Sequence, residues 1–343
     1  MKIKYFLIGL IALTLPLAAA AGKGKDNVFT GSWKSSNDGS VALLPEGREG
    51  ACMGRVDEML VMTHGFAAGT GDSGDVRIYN TVTDTWFSGT SSPNARSEGV
   101  GVSYQGFVYC IGGRVQTLVE RYMLAGDSWS TMAPMGVARG GPAAAVYEYK
   151  TGLFDPVTGA EIIAPLIYVF GGRDGSSPFS GTVLDSAEVY DIGTDTWFGI
   201  TPPPTPVSDA RAVTKGGHIY LIGGAVMDGF TQVSSPILQI YDPQTDTWEA
   251  GPDMFSARAN HAVAYIGDTI YVIGGALING GFNERLVSVE AYDVDKMEWT
   301  EGLADKPNGS NETHAVRIGN KLYVPGSGLF GSAWDFFDVF SRK

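Results

Sequence analysis

The chain has 343 residues, 44% hydrophobic and 18% charged, and only two cysteines, which excludes both an intrinsically disordered protein and a disulfide-stapled miniprotein. Twenty-four basic residues against 37 acidic ones leave a net charge of −13, which excludes a typical nucleic-acid binder, whose affinity comes from neutralising phosphates. The 47 glycines are nearly twice the usual share of about 7%, so the fold needs many backbone positions without a Cβ.

In chain order, Lys2 and Lys4 precede an apolar run from Tyr5 to Leu17, and four alanines follow. This order predicts a secretory signal peptide over residues 1–22, cleaved near the end of the alanine run. Its apolar run falls short of the roughly 20 residues that span a bilayer. No other stretch is apolar enough for a membrane span, so the mature chain is expected to be exported, either periplasmic or extracellular. Loss of Lys2 and Lys4 takes its charge from −13 to −15. A strand-like segment, VFTGSWKS at 28–35, comes next.

From there the chain repeats. An apolar-aromatic run ending in glycine recurs as VYCIGG (108–113), IYVFGG (167–172), IYLIGG (219–224) and IYVIGG (270–275). LVMTHG (60–65) and LYVPGS (322–327) are degenerate first and last copies. Tyr109, Tyr168, Tyr220, Tyr271 and Tyr323 follow one another at steps of 59, 52, 51 and 52 residues. Downstream of each run a Tyr is followed seven residues later by a Trp, as in Tyr79/Trp86, Tyr122/Trp129, Tyr190/Trp197, Tyr241/Trp248 and Tyr292/Trp299. Turn formers lie between them, such as the TDT of TDTW, so the spacing predicts strand, tight turn, strand. The apolar runs show no clean alternation, which points to strands covered on both faces. Four short strands per unit of about 50 residues fit the blades of an all-β propeller.

The diglycines Gly112–Gly113, Gly171–Gly172, Gly223–Gly224 and Gly274–Gly275, the spaced Tyr and Trp, and a leading Arg together closely resemble the kelch repeat over roughly residues 27–343. The resemblance implies one six-bladed propeller over residues 23–343. In copy six, FFD at 336–338 takes the place of the Tyr-Asp pair, and its Trp would fall one residue beyond the chain. The segment 28–35 is therefore expected to complete the sixth blade and tie the termini together. Trp86, Trp129, Trp197, Trp248 and Trp299 are expected to pack between blades, and the diglycines to be structural.

Arg48, Arg96 and Arg258 stand 16 residues before the first diglycine position of their copies. Arg139 stands 32 before Gly171, which a 16-residue insertion at roughly 149–164 explains. Copies four and six carry Val207 and Ser310 in that slot, and Arg211 is out of register. Placed where innermost strands begin, the arginines are expected to converge near the central channel. There they either pin blades together through acids and carbonyls or present cations to a carboxylate ligand.

By the same resemblance, the binding face gathers loops before the first strand and after the diglycine, roughly 66–76, 114–118, 173–186, 225–237, 276–287 and 328–333. They carry Arg114, Arg173, Asp174, Asp228, Phe230, Asn279, Asn283 and Arg285. GTGDSG at 69–74 lacks the helix that a dinucleotide fingerprint requires. His64, His218, His261 and His314 have no metal-ligand spacing, and no nucleophile motif occurs, so no metal, cofactor or catalytic residue is assigned. Cys52 and Cys110 are either a disulfide or two buried thiols. Asn308 and Asn311 begin glycosylation sequons that matter only in a eukaryotic host.

Two functions fit these features. The first is an exported binding module whose loop face takes a protein segment or a carbohydrate. The second is a periplasmic epimerase or mutarotase of a carboxylated sugar such as sialic acid, because sialic acid mutarotases likewise combine a signal peptide with a kelch propeller. In that case Glu98 and His261 would be its acid–base pair.

Overall fold

The computed structural model describes residues 31–175, 181–279, 282–326 and 335–342. The signal-peptide reading and the 328–333 loop lie outside the described residues. What is described is all-β apart from two short 3-10 turns, Ser36–Asp38 and Leu124–Gly126.

Six antiparallel four-stranded sheets carry the repeats, one per unit, and no sheet among the described residues closes on itself. Unit one comprises Cys52–Val56, Met59–Thr63, Val76–Asn80 and Thr85–Gly89, and unit two Val100–Tyr104, Phe107–Ile111, Val119–Met123 and Ser128–Thr131. Unit three follows as Ala143–Phe154, Glu161–Phe170, Ala187–Asp191 and Thr196–Gly199. Unit four is Arg211–Lys215, His218–Ile222, Leu238–Asp242 and Thr247–Ala250; unit five is Ala262–Ile266, Thr269–Ile273, Val289–Asp293 and Glu298–Thr300. Unit six joins Val316–Ile318, Lys321–Pro325 and Phe337–Arg342 to Gly31–Ser35 from the other end of the chain. The insertion foreseen in unit three is real: its first two strands run on as a hairpin whose far end exposes Leu153, Phe154 and Val157.

Second strands are largely buried because a neighbouring sheet covers each face, apart from the open first half of Glu161–Phe170; Thr269–Ile273 is buried at every position. The fourth strands are mostly exposed. Each diglycine ends a second strand with both residues at positive φ, 56° and 95° at Gly171 and Gly172. A Cβ on Gly171 would lie 2.0 Å from the Val207 carbonyl oxygen, so the next unit leaves no room for one. His64 adopts the same left-handed turn, at φ 59°, in unit one.

Neighbouring units are fastened at their outer rims. The indole of Trp129 donates to the Thr90 carbonyl of the preceding unit; Trp197, Trp248 and Trp299 do the same to Ala133, Thr201 and Pro252, and Trp33 to Ala304. The turn aspartates Asp127, Asp195 and Asp246 accept from the backbone N–H of Thr90, Ala133 and Thr201 in the preceding unit, while accepting from the Tyr hydroxyl five residues earlier in their own. Asp84 fastens unit one to Ala42 in the same way.

Unit six departs from the expected register. Trp33 opposes Phe340, not Phe337, so Phe340 fills the Tyr slot. Asp338, two residues earlier, then occupies the position that Glu120, Glu188 and Glu290 hold in units two, three and five. It pairs with Lys306 at 2.5 Å.

Along the middle of the molecule the first strands of the six units neighbour one another in turn, and that of unit six also neighbours that of unit one. Between them lies a central cavity of about 410 Å³, lined by residues from all six first strands.

Candidate functional site at the mouth of the central cavity

Two residues after the Arg slot, each unit turns through one left-handed residue: Gly50, Glu98, Gly141, Asp209, Asn260 and Glu312, all at φ between 55° and 62°. Gly, Asn and Asp tolerate this conformation best, which explains four of the six identities. In five of the six units the turn points its backbone N–H at the preceding unit's carbonyl. Gly50 donates to Glu312, Glu98 to Gly50, Gly141 to Glu98, Asp209 to Gly141 and Asn260 to Asp209, at 2.8–3.2 Å. These six residues and Arg211 surround the narrow mouth, where only about 10 Å³ is open.

The mouth is held by a compact charge network. Arg173, wholly buried, donates to Asp209 at 2.6 Å and to Glu98 at 2.7 Å. Arg114, one-third exposed, holds Asp72 at 3.1 Å and lies 3.8 Å from Glu98, with its guanidinium over the Phe66 ring. Burial pushes the Glu98 carboxyl up against the opposing pull of Arg173. Glu312 goes further, to about 8, through burial and then repulsion from Glu98, Glu49 and Asp209. The pre-strand segments bridge to the post-diglycine segments at Glu49–Phe66, Gln116–Arg139, Gly140–Arg173, Ser208–Ala225 and Ala259–Ala276, so both loop sets share this face. Here units four and five add a further four-stranded sheet, Ala225–Asp228, Thr231–Ser234, Ala276–Asn279 and Phe282–Arg285, with Phe230 fully exposed at a turn.

The expected convergence of Arg48, Arg96, Arg139 and Arg258 on the channel does not occur, since none of them lines the cavity. Arg96 binds Glu120 and the carbonyls of Gly112 and Cys110. Arg139 binds Glu188 and the carbonyls of Gly171 and Ser186; Arg258 binds Glu290 and those of Gly274 and Ser288. Arg48 meets Glu46 and Asp75. Arg96, Arg139 and Arg258 thus satisfy carbonyls at the diglycine turn and a carboxylate on the third strand, while Arg48 pairs with carboxylates alone, so all four are engaged within the fold. Arg173 and Arg114, by contrast, are brought to the mouth. Asn283 lies on the added sheet, its Oδ1 buried and without a hydrogen bond.

Glu98 and His261 do not form an acid–base pair. Glu98 is held by Arg173, and His261 is fully buried with both ring nitrogens unpartnered, its pKa pushed well down by burial and by Arg211 and Arg258. Cys52 and Cys110 are joined as a disulfide linking the first strand of unit one to the second strand of unit two. Together with His64 they are the one His/Cys/Asp/Glu group close enough for a metal among the described residues, but the S–S bond occupies both sulfurs. Sequence reasoning missed Asp209, Asn260, Glu312 and Arg211, although the first three share one constant offset from the Arg slot.

Residues 156–328 match the family model described as the KLHDC2/KLHL20/DRC7 Kelch-repeats domain. The chain is 28% identical to beta-scruin of Limulus polyphemus over 240 residues, covering 64% of this chain and 24% of that protein. It is 26% identical to kelch-like protein 38 of Rattus norvegicus over 283 residues, covering 80% of this chain and 43% of that one. The chain thus spans less than half the length of these relatives. A solved structure described as "Structure of YjhT" is similar with a TM-score of 0.69 and 14% identity, over 86% of this chain and 95% of that one. That likeness concerns the fold alone.

Proposed function

Because this chain belongs to the kelch-repeat family, we propose that it is an exported six-bladed β-propeller, closed by Gly31–Ser35, that binds a protein segment through the mouth face. Kelch-repeat proteins generally mediate protein–protein interactions. The first strands that neighbour one another in turn, and the hydrogen bonds that step between units at the mouth, support closure into six blades. The leader-like N-terminus and the Cys52–Cys110 disulfide support export to an oxidising compartment.

The observation that carries the binding reading is the mouth face itself. A rigid belt of backbone bonds and ion pairs fixes a rim on which Arg114, Asp72 and Phe66 stand partly open, beside the added sheet with its exposed Phe230. A preorganised surface of Arg and aromatic groups, varied on one scaffold by loop length, is suited to gripping a peptide segment.

The test is a displayed-peptide selection on the mature protein. Peptides so selected should lose binding to a mouth variant, R114E/F230D, and retain it on a variant of the opposite face, R55E. Equal binding to wild type and R114E/F230D refutes the reading. If a glycan array gives ligands sensitive to R114E/F230D where peptides give none, the partner is a carbohydrate instead.

A further inference from the structure

The central cavity has a charge of its own. In a protein whose acids outnumber its bases by 13, the described residues lining this space include Arg55, Arg211, Arg317 and His314, and no Asp or Glu. Much of the remaining wall is small and apolar, as at Ala144, Ala212, Ala264 and Ala315, with Ser103, Thr214 and Tyr265 among it. Each first strand is also terminal in its sheet, so its inner edge offers unpaired backbone N–H and C=O groups to this space.

Arg211 marks the deep end, since it borders both the cavity and the closed mouth above it. Its guanidinium is buried and donates only to carbonyls, Nη1 to Ala210 at 3.0 Å and Nε and Nη2 to Thr313 at 3.4 and 3.2 Å. The other deeply buried arginines, Arg48, Arg96, Arg139, Arg173 and Arg258, each hold a carboxylate; Arg211 has none within ion-pair distance among the described residues. Two acids are near enough to act on it electrostatically, Asp209 and Glu312. Asp209 is already taken by Arg173 through both its oxygens. Glu312 stays largely protonated at neutral pH, held so by burial and by the acids around it. Beside Arg211, His314 is buried too, and its Nε2 has no hydrogen-bond partner.

The opposite end of the cavity is the open one. There Arg55 is exposed, and Arg317 lies over the Tyr265 ring at 4.8 Å. A buried cation without a counter-ion is costly to hold, and an anion delivered to it removes that cost. One unpaired guanidinium matches one singly charged, planar oxyanion better than a polyvalent one.

We propose that the central cavity is a binding site for a small carboxylate, entered from the face opposite the mouth past Arg55 and Arg317 and seated on Arg211 and His314. The volume of about 410 Å³ is that of a small-molecule site. Arg114 and Phe230 of the loop face do not line this cavity, so either reading stands if the other fails.

The test is titration of the mature protein with D-glucuronate, benzoate and pyruvate, each against a neutral twin (D-glucose, benzyl alcohol and hydroxyacetone). At least one acid should bind saturably and more tightly than its twin. R211Q should weaken that acid about tenfold or more, the size of a lost charge-assisted hydrogen bond, with R211K recovering part and R317Q losing less. The mouth variant R114E/F230D should bind as wild type. If R211Q fails to fold, the Nε–Hε resonance of Arg211 in the wild-type protein should shift with the acid and not with its twin. The proposal is overturned if no acid outbinds its twin at millimolar concentration, if R211Q binds equally well, if R114E/F230D abolishes binding, or if that resonance does not move.

Discussion

The arginine slot shows how one residue's role depends on a partner far along the chain. Arg96, Arg139 and Arg258 meet Glu120, Glu188 and Glu290, each two residues before the Tyr of the Tyr–Trp pair. Unit four has Val207 in the Arg slot and Gln239 in the Glu slot, and Gln239 instead bonds both backbone groups of Thr205. The chain therefore contains an uncharged solution to its own ion pair. R258V alone should cost about 3–5 kcal/mol by stranding Glu290, measured by denaturant unfolding. R258V/E290Q, which copies unit four, should recover most of that loss; a double variant no better than the single refutes the pairing logic.

Glu312 makes a second prediction at this scale. Its carboxyl titrates at about 8 in the folded protein against an ordinary 4.5, so the fold favours the protonated form. That contribution is fully present below about pH 4.5 and is lost as pH rises through 8, at up to about 1.4 kcal/mol per pH unit. E312Q should match wild type in Tm near pH 4.5, exceed it increasingly toward pH 8 and hold a constant lead above that. Parallel Tm curves would show that Glu312 ionises freely. Glu312 did not stand out in the sequence: the left-handed positions carry Gly, Glu, Asp and Asn, so they share a conformation without sharing a letter.

At the scale of the element, the turn between third and fourth strands fastens each of units one to four to the one before it, and unit five, which has the same turn, does not follow. Met297 stands where the other turns carry Asp, at φ 58°, and the Tyr292 hydroxyl it should serve has no partner. The residue the aspartate would grip in unit four is Pro252, which has no N–H to donate. Acceptor and donor are missing together, and only the Trp299 indole still reaches the Pro252 carbonyl. M297D should add about 0.5–1.5 kcal/mol by giving Tyr292 an acceptor, read from the denaturation midpoint. P252T/M297D should add more than the two single changes together, because it alone restores both bonds. Simple additivity would contradict the two-sided role of the turn.

The strands themselves were legible because their signals are local: β-branched runs, diglycines and a seven-residue Tyr–Trp spacing mark each unit without reference to any other. What was not legible lies between units. Arg211 was set aside as out of register, yet it lines the cavity where the slot arginines do not, because it begins a first strand itself rather than preceding one by four residues. The register of the last unit was misjudged by three residues for a similar reason. Its outer strand comes from the other end of the chain, and only pairing with Trp33 shows that Phe340 fills the Tyr slot.

For the whole molecule, the disulfide adds a covalent tie to the backbone belt at the seam of units one and two. The cysteines are 58 residues apart in sequence, and a crosslink of that span contributes up to about 4 kcal/mol through the unfolded chain. Dithiothreitol or C52A/C110A should lower the Tm and the denaturation midpoint together. An unchanged midpoint after confirmed reduction would show that the crosslink leaves the unfolded chain unconstrained.

The pairing of Gly31–Ser35 with Phe337–Arg342 also has a consequence in time. The strand that leaves the ribosome first finds its partner only after some 300 further residues have followed it. Five sheets can assemble from contiguous sequence while the sixth waits. During that wait Phe337–Arg342 keeps a bare edge and Trp33 has nothing to lie against. Contacts so distant along the chain form slowly. The last unit is therefore the moment of greatest exposure to aggregation in the life of each molecule, and a circular permutant that begins at unit six and carries 31–35 directly after Arg342 should refold faster than the natural order.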